Sequence, residues 1–127
     1  MTNLGQNALF VDDDHSRGVK VLSVFPAILW VKTAQDAISS LKSRDFSTVF
    51  LDFDLEGEEK GTDFKNPLCG MEVVRWVQEN RPRVDEFVIV SHNQPAAAQM
   101  VLELQSASYT TSYQPFGRTK WWTEHLR

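Results

Sequence analysis

The sequence of 127 residues has the length of one folded domain, and its 42% hydrophobic and 24% charged fractions are those of an ordinary globular protein. The net charge of −4 argues against broad binding to nucleic acid. The longest apolar run (Phe25–Val31) is too short to cross a membrane, and the single Cys69 allows no internal disulfide. The start of the chain lacks the pattern of a secretory signal, so we expect one cytoplasmic domain over residues 1–127.

Short runs rich in β-forming residues recur along the chain and predict strands. Most of these runs are apolar at successive positions, which is typical of strands that are covered on both faces of a sheet. The predicted strands are Ala8–Val11, Ile28–Val31, Thr48–Leu51, Phe87–Val90 and a weaker Tyr109–Tyr113.

Segments with helical spacing separate these runs. Apolar residues at positions i, i+3, i+4 and i+7 predict helices that begin near Ala34, Gly70 and Ala97. Thr33 has the character of an N-cap for the first of these helices, and Pro95 suits the first turn of the last one.

The helices at the two ends of the pattern are less regular. The segment 14–28 has room for two or three helical turns at most, and Gly18 and Pro26 interrupt it, so we predict a short or irregular first helix. The aromatic pair Trp121 and Trp122 predicts a short final helix that packs on the sheet.

Strands that alternate with helices indicate an α/β protein whose parallel strands are joined by right-handed crossovers. We predict a flavodoxin-like, receiver-like three-layer sandwich with a five-stranded parallel sheet of order 2-1-3-4-5. In that order strands 1 and 3 are neighbours, and ligands bind beyond the carboxyl ends of the strands, where the order reverses. We call this side of the sheet the carboxyl edge.

Acidic residues follow the first and third predicted strands. In "LFVDDDHSRG", Asp12 and Asp13 come after strand 1, and in "TVFLDFDLEG", Asp52 and Asp54 come after strand 3. Carboxylates that meet at one edge repel one another unless they are protonated or neutralised, and Mg²⁺ or Mn²⁺ with oxygen ligands would neutralise them. We therefore predict a metal site formed by Asp12, Asp13 and Asp52. A turn or a helix cap would explain any single aspartate at a strand end, and Asp14 is predicted to be a helix cap or a solvated residue rather than a ligand.

Polar residues also follow the fourth strand, in "VIVSHNQP". Ser91 can donate a hydrogen bond to a phosphate oxygen, and His92 can serve as a general acid or base or have a structural role. Asn93 can bind the phosphate, although capping of the next helix is the favoured interpretation for this residue.

These residues resemble the functional positions of response-regulator receiver domains over nearly the whole chain. The matching residues are Asp12, Asp13, Asp52, Ser91 and the "QPF" at 114–116. The resemblance implies that Asp52 occupies the phosphoryl-accepting position, that the acidic pair holds Mg²⁺ and that the hydroxyl of Ser91 responds to phosphorylation. Receivers have a lysine where this chain has Gln114, which can hydrogen-bond a phosphate but supplies no positive charge.

The chain resembles one divergent family more closely, the cyclic-phosphate processing receiver domains. Its marks are a Leu-Asp-His-Asp-Leu motif after strand 3 and a Ser-His-Asn or similar triplet after strand 4. Here the corresponding stretches are "LDFDL" at 51–55 and "SHN" at 91–93, and Gly70 at the start of the third helix also fits. Phe53 replaces the histidine of the motif.

An acidic stretch, residues 56–69, separates the third strand from the third helix. Loops of this length are often lids or binding surfaces, and Lys60 and Lys65 can reach an anionic ligand from it. A solvated insertion is the alternative, and we favour it for Glu56, Glu58 and Glu59.

The first functional hypothesis is a metal-dependent phosphoesterase that opens a cyclic nucleotide or a cyclic-phosphate end. The expected catalytic residues are Asp52, Asp54, which orients the attacking water, and His92, which protonates the leaving oxygen. The residues expected to bind the phosphate are Ser91, Asn93 and Gln114.

Two further hypotheses remain open. The protein can be a signalling receiver that is phosphorylated on Asp52. It can also be a non-catalytic module that docks a partner protein through the carboxyl edge or the helix of Trp121 and Trp122.

Overall fold

The computed structural model describes residues 7–55 and 63–126 and confirms the predicted flavodoxin-like fold. Its five strands are all parallel and have the order β2-β1-β3-β4-β5. None of the helices in these two ranges has the length and apolar character that a membrane span needs. The elements are β1 (Ala8–Val11), α1 (His15–Val24), β2 (Leu29–Val31), α2 (Ala34–Ser43), β3 (Phe46–Leu51), α3 (Gly70–Asn80), β4 (Val84–Ile89), α4 (Gln94–Ser106), β5 (Thr111–Tyr113) and α5 (Lys120–His125).

The central strands are buried on both faces because helices cover both sides of the sheet. Successive side chains of a strand point to opposite faces, so β1 and β3 each contribute to two apolar cores. Leu9 and Val49 belong to the core under α2, α3 and α4. Phe10 and Phe50 belong to the core under α1 and α5. This burial explains why the apolar pattern of these strands does not alternate.

Side chains cap the helices where the sequence predicts them. The side chain of Asp14 accepts a hydrogen bond from the backbone N–H of the third residue of α1, and Thr33 makes the equivalent bond in α2. Asn93 accepts from the N–H of Ala96 at 3.3 Å, and Pro95 lies in the first turn of α4. The capping role that was favoured for Asn93 is therefore confirmed.

The first helix is short, with ten residues, but Gly18 does not interrupt it as predicted. A Cβ at position 18 would lie 2.1 Å from two ring atoms of Trp30 on the edge strand β2. Glycine at this position therefore allows α1 to pack directly against the indole ring.

Four of the five strands begin at other residues than predicted. β2 begins one residue later, at Leu29, and β3 begins two residues earlier, at Phe46. β4 begins at Val84 rather than Phe87, because Val84 pairs with Phe46 even though the exposed Asp85 breaks the apolar pattern. β5 begins at Thr111 rather than Tyr109, because the N–H of Tyr109 donates to the carbonyl of Leu104 in the turn that ends α4.

Candidate metal and phosphate-binding site

The ends of β1 and β3 lie side by side and bring three acidic side chains together. The N–H of Asp52 donates to the carbonyl of Val11 at 3.0 Å, which extends the pairing of the two strands beyond their last residues. One carboxylate oxygen from each of Asp12, Asp13 and Asp52 lies within 4.8 Å of the other two. We refer to these three residues as the acidic cluster.

The acidic cluster is largely withdrawn from water. The side chain of Asp12 has no exposed surface, and Asp52 is 5% exposed. Burial raises the pKa of Asp52 well above its usual value, and the negative charge of Asp12 raises it further. Burial also raises the pKa of Asp12, although hydrogen bonding to the N–H of Asp14 and the charge of Arg17 oppose the rise. Carboxylate oxygens that lie this close together are the ligands that a hard divalent cation prefers, so the residues fit Mg²⁺ or Mn²⁺.

Local hydrogen bonds fix the two buried carboxylates. Oδ1 of Asp12 accepts from the N–H of Asp14 at 2.9 Å, and Oδ1 of Asp52 accepts from the N–H of Phe53 at 2.8 Å. The indole Nε1 of Trp30 donates to the backbone carbonyl of Asp12 at 2.7 Å. These bonds hold the acidic cluster in place before any ligand binds.

A glycine brings α3 against the end of β3. A Cβ at Gly70 would lie 2.0 Å from the backbone oxygen of Asp52, and the N–H of Gly70 donates to the carbonyl of Phe53 at 2.8 Å. The ring of Phe53 is fully buried and packs edge-on against Phe64, with ring centroids 5.7 Å apart. The side chain that replaces the motif histidine therefore belongs to the apolar core.

Ser91 and Asn93 lie at the end of β4, next to β3. The hydroxyl oxygen of Ser91 accepts from the N–H of Asn93 at 3.0 Å, and Tyr113 donates to the Ser91 carbonyl at 2.8 Å. Ser91 is almost completely buried, and Asn93 is half-buried. The binding of phosphate by these two side chains stays a prediction.

Both ring nitrogens of His92 contact protein groups. Nε2 lies 2.8 Å from the carbonyl oxygen of Phe116, and Nδ1 lies 3.3 Å from a guanidinium nitrogen of Arg17. A carbonyl only accepts and a guanidinium only donates, so this geometry requires the proton on Nε2 and the lone pair on Nδ1. The general-acid role of His92 stays a prediction, and it requires one of these contacts to open.

Gln114 lies at the end of β5. Its N–H donates to the carbonyl of Ile89 at 2.9 Å, and its side-chain oxygen accepts from the hydroxyl of Thr119 at 2.7 Å. Its backbone carbonyl accepts from the indole of Trp122 at 2.7 Å, which ties α5 to the sheet. A contact between Gln114 and phosphate also stays a prediction.

The remaining predicted site residues are placed as follows. Asp54 is half-buried, and its charge contributes to the raised pKa of Asp52, so it lies near the acidic cluster. Lys65 is exposed. Lys60 and the glutamates at 56, 58 and 59 lie outside the described residues.

Arg17 also lies at the site, although it is not among the predicted site residues. Its Nη1 lies 3.4 Å from Oδ2 of Asp12, and the guanidinium lies 5.4 Å from the ring centre of Phe116. The available signal was the position of Arg17 in the first turn of a helix that starts directly at the carboxyl edge. The long side chain can reach back to that edge from there.

The fold and the acidic edge define a receiver-like domain. The model of the family described as "Cyclic-phosphate processing Receiver domain" matches residues 7–106. The chain belongs to this family. No curated protein sequence matches the chain.

Solved structures of response-regulator receivers share the fold. A CheY-like receiver domain from Methylobacillus flagellatus is 18% identical, with a TM-score of 0.63 over 94% of this chain and 92% of that one. A receiver domain protein from Methanospirillum hungatei is 13% identical, with a TM-score of 0.64 over 90% and 83% of the two chains. The response regulator TrrA from Thermotoga maritima, solved in complex with Mg²⁺ and BeF, is 14% identical, with a TM-score of 0.63 over 94% and 95%.

Proposed function

We propose that this protein binds a divalent cation at Asp12, Asp13 and Asp52, binds a phosphate group beside the cation, and opens cyclic phosphates. The observation that carries the proposal is the meeting of three carboxylate oxygens within 4.8 Å, two of them from almost fully buried side chains. Buried carboxylates repel one another strongly. A cation bound between them would remove this repulsion and so stabilise the folded protein. The cyclic phosphate itself is inferred from the description of the family.

The reaction follows from the residues around the acidic cluster. A bound Mg²⁺ or Mn²⁺ would polarise the phosphate and stabilise the negative charge that develops on its oxygens. The hydroxyl of Ser91 and the amides of Asn93 and Gln114 would hold phosphate oxygens by hydrogen bonds. Asp54 would orient a water molecule that attacks phosphorus, one ester P–O bond would break, and His92 would protonate the leaving oxygen. The product is a phosphate monoester with a free hydroxyl.

A phosphoryl-accepting receiver is the second candidate function. Asp52 directly follows β3, its carboxylate lies in the acidic cluster, and the related fold of TrrA was solved with Mg²⁺ and BeF. In this case the carboxylate of Asp52 would attack the phosphorus of a phosphoryl donor, the bond from phosphorus to the donor's leaving group would break, and an acyl phosphate would form on Asp52. The neutral Gln114 provides no charge to balance that group, so this candidate depends on another cation at the edge.

Two measurements on the purified protein separate the candidates. Incubation with 2′,3′- and 3′,5′-cyclic nucleotides in Mg²⁺ and in Mn²⁺ tests ring opening by chromatography. Incubation with acetyl phosphate tests a mass increase of one phosphoryl group. Asp52→Asn should abolish either signal, while Asp85→Asn, an exposed aspartate on β4, should retain it.

Each result has one meaning. A ring-opened product that requires metal and Asp52 supports the first candidate. A phosphorylated protein without ring opening supports the second. If neither occurs, and calorimetry shows that neither Mn²⁺ nor phosphate binds at the carboxyl edge, the domain is a non-catalytic module that docks a partner.

A further inference from the structure

The guanidinium of Arg17 connects two strand ends of the carboxyl edge. It reaches from the first turn of α1 to Asp12 beyond β1, at 3.4 Å, and to His92 beyond β4, at 3.3 Å. It also lies over the ring of Phe116 in the segment that follows β5. Its side chain is 20% exposed, so the charge is largely enclosed by the protein.

His92 and Phe116 contact the guanidinium in addition to Asp12. Nε2 of His92 donates to the carbonyl of Phe116 at 2.8 Å, which fixes the imidazole ring. The lone pair of Nδ1 then faces Arg17 and accepts from Nη2. Phe116 therefore positions Arg17 in two ways. Its ring contacts the guanidinium directly, and its carbonyl orients His92, which in turn accepts a hydrogen bond from Arg17.

The contacts of Arg17 with the edge are long. A charge-assisted bond between a guanidinium and a carboxylate has a usual length of about 2.7–2.9 Å, whereas Nη1 lies 3.4 Å from Asp12 and Nε lies 3.7 Å from Asp14. Asp12 and Asp14 therefore do not satisfy the planar guanidinium with bonds of the usual length. A phosphate can do so, because two of its oxygens accept hydrogen bonds in parallel from two N–H groups of the guanidinium.

From this geometry we propose that Arg17 is the phosphate-binding cation of the site and supplies the positive charge that Gln114 does not. The inference rests on the proposed function, because it assumes a phosphate beside the acidic cluster. It assigns His92 a positioning role toward Arg17 in addition to any role in proton transfer.

The test separates the affinity for the metal from the affinity for the anion. Wild-type protein, Arg17→Gln, Arg17→Lys and the control Arg44→Gln are titrated first with Mn²⁺ alone. They are then titrated with beryllofluoride, a phosphate mimic, at saturating Mg²⁺. Arg44 packs on Phe46 at the start of β3, at the opposite end of the strand from the acidic cluster.

We expect the loss of Arg17 to affect the two ligands differently. Arg17→Gln should weaken beryllofluoride binding by about 10- to 100-fold, which is the usual effect of losing hydrogen bonds to a charged group. It should leave Mn²⁺ binding unchanged or strengthen it, because a positive charge beside Asp12 is removed. Arg17→Lys should restore part of the anion affinity, and Arg44→Gln should behave as the wild type.

Two results would overturn the role assigned to Arg17 and leave the proposed function standing. In the first, Arg17→Gln binds beryllofluoride within twofold of the wild type. In the second, it loses Mn²⁺ and beryllofluoride affinity in parallel, as expected if Arg17 only builds the acidic cluster. A wild-type protein that binds neither Mn²⁺ nor beryllofluoride would instead refute the proposed function from which the inference starts.

Discussion

The indole nitrogen of Trp30 donates a hydrogen bond of 2.7 Å to the backbone carbonyl of Asp12. Trp30 lies on the edge strand β2, and its ring fills the space that Gly18 leaves on α1. One side chain thus connects an edge strand, a helix and a residue of the acidic cluster. This relationship makes Trp30 a positioning residue for the candidate metal site.

Replacing Trp30 should therefore affect both stability and metal binding. Trp30→Phe removes the hydrogen bond to Asp12 and should lower the free energy of unfolding by about 1–2 kcal/mol. It should also weaken Mn²⁺ binding several-fold at a temperature where the variant is fully folded. Urea unfolding and calorimetric titration measure the two effects. Trp76→Phe, on α3, is the control, and equal Mn²⁺ affinities for both variants would contradict the positioning role.

Two glycines at the carboxyl edge should respond differently to substitution by alanine. At position 18 the new methyl group would meet the ring of Trp30, whereas at position 70 it would meet the backbone of Asp52. Gly18→Ala should lower the free energy of unfolding by about 1–3 kcal/mol, and the smaller side chain at position 30 should relieve part of that loss in the double variant Gly18→Ala/Trp30→Leu.

In Gly70→Ala the new methyl group would meet backbone atoms rather than a side chain that could turn away. The end of β3 or the start of α3 must therefore move. We expect a larger loss of stability than for Gly18→Ala, together with weaker Mn²⁺ binding. Thermal unfolding and Mn²⁺ titration at low temperature test both statements. A Gly70→Ala protein with wild-type stability would show that the close contact is not maintained.

The raised pKa of Asp52 makes the metal-free protein less stable as the pH rises. The unfolded chain releases this proton near pH 4, while the folded protein retains it to higher pH, so the stability falls between the two pKa values. Asp52→Asn removes the charge and should raise Tm at neutral pH by roughly 5 °C, the shift that about 1 kcal/mol produces in a domain of this size.

The advantage of Asp52→Asn should disappear below pH 4, where the wild-type carboxyl is protonated in both states. Scanning calorimetry in EDTA across this pH range measures the difference. Asp85→Asn should show no such pH-dependent gain, because that side chain is exposed. A Tm difference that stays constant with pH would argue against an uncompensated charge at Asp52.

Metal binding should show the opposite dependence on pH. Asp12 and Asp52 must lose their protons to bind a cation, and the pKa of each is raised. The affinity for Mn²⁺ should therefore fall on acidification at a higher pH than exposed aspartates would require. Titrations in buffers of different ionisation enthalpy should detect proton release on binding. An affinity that is constant down to pH 5 would contradict this expectation.

The fold and the acidic cluster were predictable from the sequence because each depends on local patterns. The apolar strands and the helical spacing indicate a parallel sheet, and its order places Asp12 and Asp13 beside Asp52 without further information. The cap at Asn93 was also predictable, since its signal lies within a few residues.

The contacts of Arg17 and Trp30 were not predictable in the same way. Arg17 meets His92 across 75 positions of the sequence, and Trp30 meets Asp12 across 18. No periodicity encodes such pairs, because they depend on how α1 packs against β2 and β4. Gly18 was misinterpreted for this reason: its local propensity favours a break in the helix, whereas its actual role is to make room for a ring on another strand.

The contact between Gly70 and Asp52 has a mechanical consequence. With no free space between the backbone of Asp52 and the first turn of α3, the end of β3 and the beginning of that helix form one rigid unit. A movement of Asp52 on ligand binding would therefore also move the start of α3, which packs against α2 and α4. Binding of a ligand at the acidic cluster would thereby be transmitted to the outer surface of the protein.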